Sequence, residues 1–175
     1  AAELRRRLEP RVQAVGVCVI EAPGRIAALC GRGVIDMIQL HGDEDAAYIR
    51  GLRKLTRAPV IKAVRVGSGM NFLGDACPEA DFLLFDTFRE GERGGTGARF
   101  DWKLLPRSGM CPRPYFLAGG LDAAGIAEAR AQPDLAPFGF DVSGGAETDG
   151  YKDFEKMRAI IDAARAEERN GHIYD

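Results

Sequence analysis

Short apolar runs alternate with helix-period segments along nearly the whole chain, and no other feature restricts the fold as much. The runs lie at about Ala14–Ile20, Val34–Leu40, Val60–Val66, Asp81–Thr87, Tyr115–Ala118 and Phe138–Ser143, each rich in Val, Ile, Leu or Phe. The clearest helical pattern between them is Glu44–Leu55, where Ala47, Ile49, Leu52 and Leu55 favour one face and Asp43 is placed to cap. A last helix over about 152–166 puts Phe154, Met157, Ile160, Ile161 and Ala164 on one stripe. Near the start, Leu4 and Leu8 are one helical turn apart and Pro10 ends that segment, so Arg5-Arg6-Arg7 reads as a solvated helix face. Strand–helix–strand alternation means parallel strands joined by right-handed crossovers. Runs as apolar as Phe82-Leu83-Leu84-Phe85 fit a sheet covered on both faces. With 175 residues, no linker and no low-complexity segment, the expectation is a single α/β domain spanning residues 1–175.

The charge balance, 24 Lys+Arg against 26 Asp+Glu, gives no reason to expect a polyanion partner, and the 46% hydrophobic content excludes a disordered chain. No window is long and apolar enough to span a membrane, and the first residues lack the apolar core of a signal peptide. Cys18, Cys30, Cys77 and Cys111 form no C-x-x-C pair, and their spacing matches neither a zinc site nor a disulfide framework. They read as reduced thiols of a cytoplasmic protein, and no metal site is expected.

The polar residues fall at the ends of the apolar runs: Glu21, His41, Arg65, Asp86, Gly119 and Asp141. In parallel α/β folds ligands bind at the carboxyl ends of the strands, so these positions should gather round one mouth. Gly119-Gly120 follows one strand and Ser143-Gly144-Gly145 follows the next. Glycines there let backbone N–H groups approach an anion, and two such loops on consecutive strands make a phosphate cradle. There is no Walker-A pattern, and Gly95-Thr96-Gly97-Ala98-Arg99-Phe100 lacks the third Gly of a dinucleotide fingerprint. Asp86 ends a very apolar strand, where desolvation would raise its pKa and suit it to general acid work. His41, backed by Gly42, could donate to a substrate oxygen or satisfy a carbonyl. The Gly-rich stretch from Arg89 to Gly97 reads as a lid or binding loop, and His172 as part of a polar tail.

Taken in order, these residues resemble the phosphoribosylanthranilate isomerase family of tryptophan biosynthesis. The matching pieces are Val15-Gly-Val-Cys-Val19, Gln39-Leu-His-Gly42, Val60-Ile-Lys-Ala-Val64, Leu83-Leu-Phe-Asp-Thr87, Gly94-Gly-Thr-Gly97 with Phe100-Asp-Trp102, Leu117-Ala-Gly-Gly-Leu121, and Asp141-Val-Ser143 with Gly145 and Glu147. The resemblance implies a (β/α)8 TIM barrel and an Amadori rearrangement of N-(5′-phosphoribosyl)anthranilate to 1-(2-carboxyphenylamino)-1-deoxyribulose 5-phosphate, with no cofactor or metal. It puts the general acid at Asp86, sets His41 and Asp141 against the sugar, and gives the phosphate to Gly119, Gly120, Ser143, Gly144 and Gly145. Position 144 is usually Ser in the family, so Gly144 keeps the amide but lacks a hydroxyl. Nucleic acid and membrane are not implied as partners. A monomer, a homodimer and a fusion to an indole-glycerol-phosphate synthase domain are all left open.

The family opens with a strand carrying Lys-x-Cys-Gly, whose Cys is the general base, and its second βα unit supplies an Arg for the anthranilate carboxylate. Neither pattern occurs in residues 1–175. The expectation is therefore a barrel lacking its first two βα units. Residues 1–10 would end the second helix, 14–168 would form the third to eighth units, and 169–175 a polar tail. Such a chain is expected to be inactive alone. Two alternatives are a phosphosugar-binding remnant or split half that needs a partner chain, and another phosphosugar isomerase or epimerase on the same barrel. Cys18, inside an apolar strand, is not expected to replace the base, because apolar surroundings raise a thiol's pKa.

Overall fold

A computed structural model of the chain describes residues 1–66, 79–87 and 101–166. Cys77, the glycine-rich stretch 89–97 with Phe100, and His172 with the tail lie outside the described residues. Six strands run side by side in chain order: β1 (Val15–Cys18), β2 (Met37–Leu40), β3 (Val60–Val66), β4 (Phe82–Thr87), β5 (Tyr115–Leu117) and β6 (Gly139–Phe140). Each neighbouring pair is parallel. An unbroken order is the winding of a TIM-barrel-like sheet, in contrast to a doubly wound sheet, whose order reverses at a switch point. The helices are α1 (Ala2–Arg5), α2 (Pro23–Gly31), α3 (Ala46–Arg53), α4 (Ala123–Arg130) and α5 (Phe154–Arg165). A two-stranded hairpin, β7 (Glu147–Thr148) with β8 (Tyr151–Lys152), precedes α5.

Side-chain alternation along the strands divides the core into two layers. Ile38, Leu40 and Val60 pack outward against Ile26 of α2 and Ile49 and Leu52 of α3. Val64, Val66, Leu83, Phe85, Tyr115 and Leu117 continue this outer layer and meet Ala129 of α4. The intervening residues Met37, Ile61, Ala63, Leu84 and Ala118 fill the concave side, with Phe82 and Phe116 packed beside them. Phe82, Phe116 and Phe138 form a floor there, with ring centroids 5.1–5.6 Å apart. The fully buried Ile38, Leu40, Leu83, Phe85 and Leu117 of the outer layer each contribute about 1.5–3 kcal/mol, so the strands are held mainly by their covering layers.

Several sequence-based boundaries are corrected. Helix α3 is capped by Asp45, whose carboxylate accepts from the Tyr48 amide, and not by Asp43. The start moves two residues on because Glu44 turns inward to other partners. Ala47 is exposed and Leu55 is 56% exposed, so Ile49 and Leu52 alone carry the buried face of that stripe. Helix α1 spans only four residues, with Leu4 and Leu8 exposed. Arg5 is not simply solvated, since it reaches Asp36 at 3.1 Å, and Asp36 also accepts from the Ala14 amide. Lys152 belongs to β8 rather than to α5, which starts after the cap Asp153. Phe154, Met157 and Ile161 of the final stripe are exposed. The second and sixth apolar runs are strands only over Met37–Leu40 and Gly139–Phe140, and Ser143 lies in the loop beyond β6.

Candidate active site

The same alternation carries three of the expected polar residues to one place. Gln39 lies on the concave side beside Ile61, and His41, two residues on, keeps that face. Asp86 follows Leu84 by two and Asp141 follows Gly139 by two, while Arg65 is the register partner of Asp86. His41 Nε2 lies 3.3 Å from Asp86 Oδ2. Gln39 Nε2 lies 3.0 Å from His41 Nδ1. With the Gln39 amide donating there, Nδ1 is an acceptor and the ring proton sits on Nε2, directed at Asp86. The other oxygen of Asp86 accepts from the Thr87 amide at 2.8 Å. In Gln39-Leu-His-Gly42 the period-two spacing of Gln39 and His41 is the signal from which the tautomer can be read. Arg65 stands at the rim 3.4 Å from Asp43. Glu21 leaves the group: its carboxylate accepts from the Ala22 amide at the start of α2 and lies 3.4 Å from Arg25.

His41 is mounted on a buried ionic network that the sequence did not disclose. The Glu44 carboxylate accepts from the amides of Ile20 at 2.6 Å and Gly42 at 2.9 Å. Lys62, from the outer face of β3, donates to the Gly42 carbonyl at 2.6 Å and approaches Glu44 at 3.6 Å. A Cβ on residue 42 would lie 3.0 Å from Glu44 Oε1 and 3.1 Å from Ile20 Cγ1, so the loop leaves little room for a side chain beside the carboxylate. The loops after β1 and β2 are thereby tied to β3 directly behind the imidazole.

Across the mouth, the two glycine loops interlock. Gly119 has φ +87°, and a Cβ there would stand 2.2 Å from Thr87 Oγ1, next to Asp86. A Cβ on Gly145 would stand 2.0 Å from the Leu121 carbonyl oxygen, whereas one on Gly144 would meet nothing within 4 Å. Gly144 and Gly145 open a 3-10 turn, where the first amides have no intrahelical acceptor. Gly119-Gly120 leads to Asp122, which caps α4 by accepting from the Gly125 amide.

Burial raises the pKa of Asp141, and the charge of Asp86 adds to the rise, while His41 and Lys152 oppose it. The residue is exposed at the open mouth, and the protein atoms crowded round its carboxyl still desolvate it in part. Burial likewise raises the thiol of Cys18, with Glu21 and Glu44 adding to it, which leaves that residue a poor base. Cys18, Cys30 and Cys111 are free thiols. Among the described residues, no three His, Cys, Asp or Glu side chains converge as metal ligands, and no helix is long and apolar enough to cross a membrane.

Comparison with known proteins agrees with this architecture. The family model for N-(5'phosphoribosyl)anthranilate (PRA) isomerase matches residues 1–163. The N-(5'-phosphoribosyl)anthranilate isomerase of Lachnoclostridium phytofermentans is 41% identical over 174 residues, covering 94% of this chain and 79% of that protein. That of Endomicrobium trichonymphae is 42% identical over 166 residues, covering 95% of this chain and 79% of that protein. Among solved structures, phosphoribosyl anthranilate isomerase from Thermotoga maritima superposes with TM-score 0.76 at 32% identity, over 93% of this chain and 78% of that one. A phosphoribosyl anthranilate isomerase in complex with reduced 1-(o-carboxyphenylamino)-1-deoxyribulose 5-phosphate gives TM-score 0.70 at 29% identity, over 93% of this chain and 76% of that one. None of these matches favours a different phosphosugar isomerase or epimerase. The chain belongs to the N-(5'-phosphoribosyl)anthranilate isomerase family, enzymes of tryptophan biosynthesis.

Proposed function

We propose that this chain carries the acid and phosphate-binding part of an Amadori isomerase site, acting on N-(5′-phosphoribosyl)anthranilate in a reducing cytoplasm. One observation carries the reading: Asp86 faces the mouth with His41 Nε2 3.3 Å from its carboxylate, between the strands that bear His41 and those that end in the glycine loops. The phosphate lies on the amides of Gly119, Gly120, Ser143, Gly144 and Gly145, and the sugar lies between His41 and Asp141. Protonated Asp86 gives its proton to the ribose ring oxygen as the C1–O bond breaks, which leaves an iminium ion. The carboxylate so formed is met by the Nε2–H of His41 and by the Thr87 amide, both already in place. Removal of the C2 proton yields the enolamine, which tautomerises to the ketone.

In the family this last proton goes to the Cys of Lys-x-Cys-Gly, a pattern that residues 1–175 do not contain. In this reading the six strands correspond to the third to eighth of the barrel, and residues 1–175 bind the product analogue through the acid and the glycine loops. The test measures turnover of the chain joined to the first two βα units of a relative, by loss of substrate fluorescence. Asp86→Asn lowers kcat about 10²–10⁴-fold, and a fall of less than about threefold overturns the assignment. The raised pKa of Asp141 favours a second reading, in which Asp141 holds the transferred proton. A much larger loss in Asp141→Asn than in Asp86→Asn would establish that reading instead.

A further inference from the structure

The hairpin β7–β8 is absorbed by neither the acid pair nor the glycine loops, yet its lysine reaches the phosphate loop. Lys152 Nζ donates to the Ser143 carbonyl at 3.0 Å and to Glu147 Oε1 at 2.7 Å. The far side of Glu147 is held in turn, because its backbone carbonyl accepts from Lys156 Nζ at 2.6 Å. The hairpin is anchored at its base by the Asp153 amide on the Ala146 carbonyl at 2.9 Å and by Thr148 Oγ1 on Asp153 Oδ2 at 2.7 Å. The Ser143 carbonyl also accepts from the Ala146 amide at 3.1 Å, closing the turn that contains Gly144 and Gly145. An ammonium on that same oxygen fixes the peptide plane between Ser143 and Gly144, and with it the direction of the Gly144 N–H.

We propose that Lys152 is a positioning residue for the phosphate end of the substrate, clamping the Ser143 carbonyl so that the Gly144 and Gly145 amides point into the mouth. This inference rests on the phosphate reading of the two glycine loops given above. It assigns a role to a residue outside both loops, on an element that neither periodicity nor turn chemistry marked. An ordinary exposed Lys–Glu pair would change ligand affinity little. A positioned amide pair would be lost for the phosphate and kept for everything else.

The test uses the chain as it stands, with reduced 1-(o-carboxyphenylamino)-1-deoxyribulose 5-phosphate and its 5-dephospho form as probes in calorimetry. Lys152→Met weakens the phosphorylated probe about tenfold or more and leaves the dephospho probe unchanged. Lys152→Arg, which can still span Ser143 and Glu147, restores affinity to within about threefold of the parent chain. Because Lys152 opposes the rise in the Asp141 pKa while Asp86 raises it and His41 lowers it, the pH dependence of binding in Lys152→Met moves to higher pH. Equal weakening of both probes, or less than about threefold weakening of the phosphorylated one, overturns the role of Lys152. If the parent chain binds the two probes equally, the phosphate reading itself fails, which is a distinct outcome.

Discussion

Gly145 and Gly144 are adjacent, share one loop and differ only in what stands where a side chain would begin. Gly145→Ala would place a Cβ 2.0 Å from the Leu121 carbonyl oxygen, 2.9 Å from its carbon and 3.1 Å from the Asp122 Cα. All three are backbone atoms of the neighbouring glycine loop, so no rotamer change relieves the contact. Ordinary non-bonded separations of roughly 3.5 Å require the loops to part by more than about 1 Å. Forcing an extra methyl group into a packed site costs about 1–3 kcal/mol in stability. A displacement of that size between loops that share one ligand breaks a hydrogen bond to the charged phosphate, about 1.5–3 kcal/mol, and so removes roughly tenfold to a hundredfold in affinity. Gly144→Ala is the control, with open space for its Cβ and no left-handed backbone to strain. Its stability should stay within about 0.5 kcal/mol of the parent chain, or rise slightly through loss of unfolded-state freedom. Urea unfolding gives the stability of each variant, and calorimetry with the reduced ribulose-phosphate analogue gives the affinity. Gly144→Ser adds a hydroxyl in the same space and is expected to tighten binding a few-fold, about the value of one net hydrogen bond. Equal effects at positions 144 and 145, or no loss at 145, would refute the interlocked-loop geometry.

Asp141→Asn is expected to raise the melting temperature at pH 7. The folded state holds that carboxyl at a raised pKa, so its charge costs stability above that value, and the cost disappears as the pH falls toward the ordinary value of 3.8. Melts at pH 7 and pH 4 should therefore show a gap between variant and parent that narrows on acidification. Glu44→Ala removes the carboxylate shared by the Ile20 and Gly42 amides and Lys62, and should cost about 3–5 kcal/mol in urea unfolding. Asp122→Ala removes the cap bond to Gly125 and should cost about 1 kcal/mol, readable as earlier exchange of the α4 amides.

The fold class was legible because its signal is one of pattern. Near-continuous apolar runs with helix-period segments between them need no tertiary knowledge, and all six runs became strands in chain order. What failed were the ends. Asp43, Glu44 and Asp45 are three consecutive acidic residues before α3, and any of them can cap by chemistry alone. Which one does is decided by Lys62 of β3, the Ile20 amide in the loop after β1 and the Gly42 amide, which draw Glu44 inward and leave Asp45 for Tyr48. The final helix fails differently. Periodicity correctly marks Phe154, Met157 and Ile161 as one face, but it states only that a face is apolar, not that anything covers it, and here they remain exposed. Val15 and Val17 on β1 show the same property, being 43% and 64% exposed on the concave side of an edge strand.

For the site, strand ends were a sound guide where the residue shares the parity of the concave face. His41, Asp86 and Asp141 each lie an even number of positions from a residue of that layer, and the structure brings them together. Glu21 lies three residues beyond the last residue of β1, after Ile20 at φ +49°, so the chain has already turned into α2 and parity no longer applies. The supporting groups were hidden for a related reason. Lys62 belongs to the outer face of β3, where the alternating pattern calls for an apolar residue, and in the sequence it looks like a lapse in that pattern. Its partners, the Gly42 carbonyl and Glu44, come from the loop after another strand, at a sequence distance no local rule spans. A lysine inside an otherwise apolar run, paired with an acid next to a Gly, is nevertheless a readable sign. A charge in a covered layer must find its counter-charge nearby, and the loop that supplies it is held more firmly than its neighbours. Here that loop begins with His41.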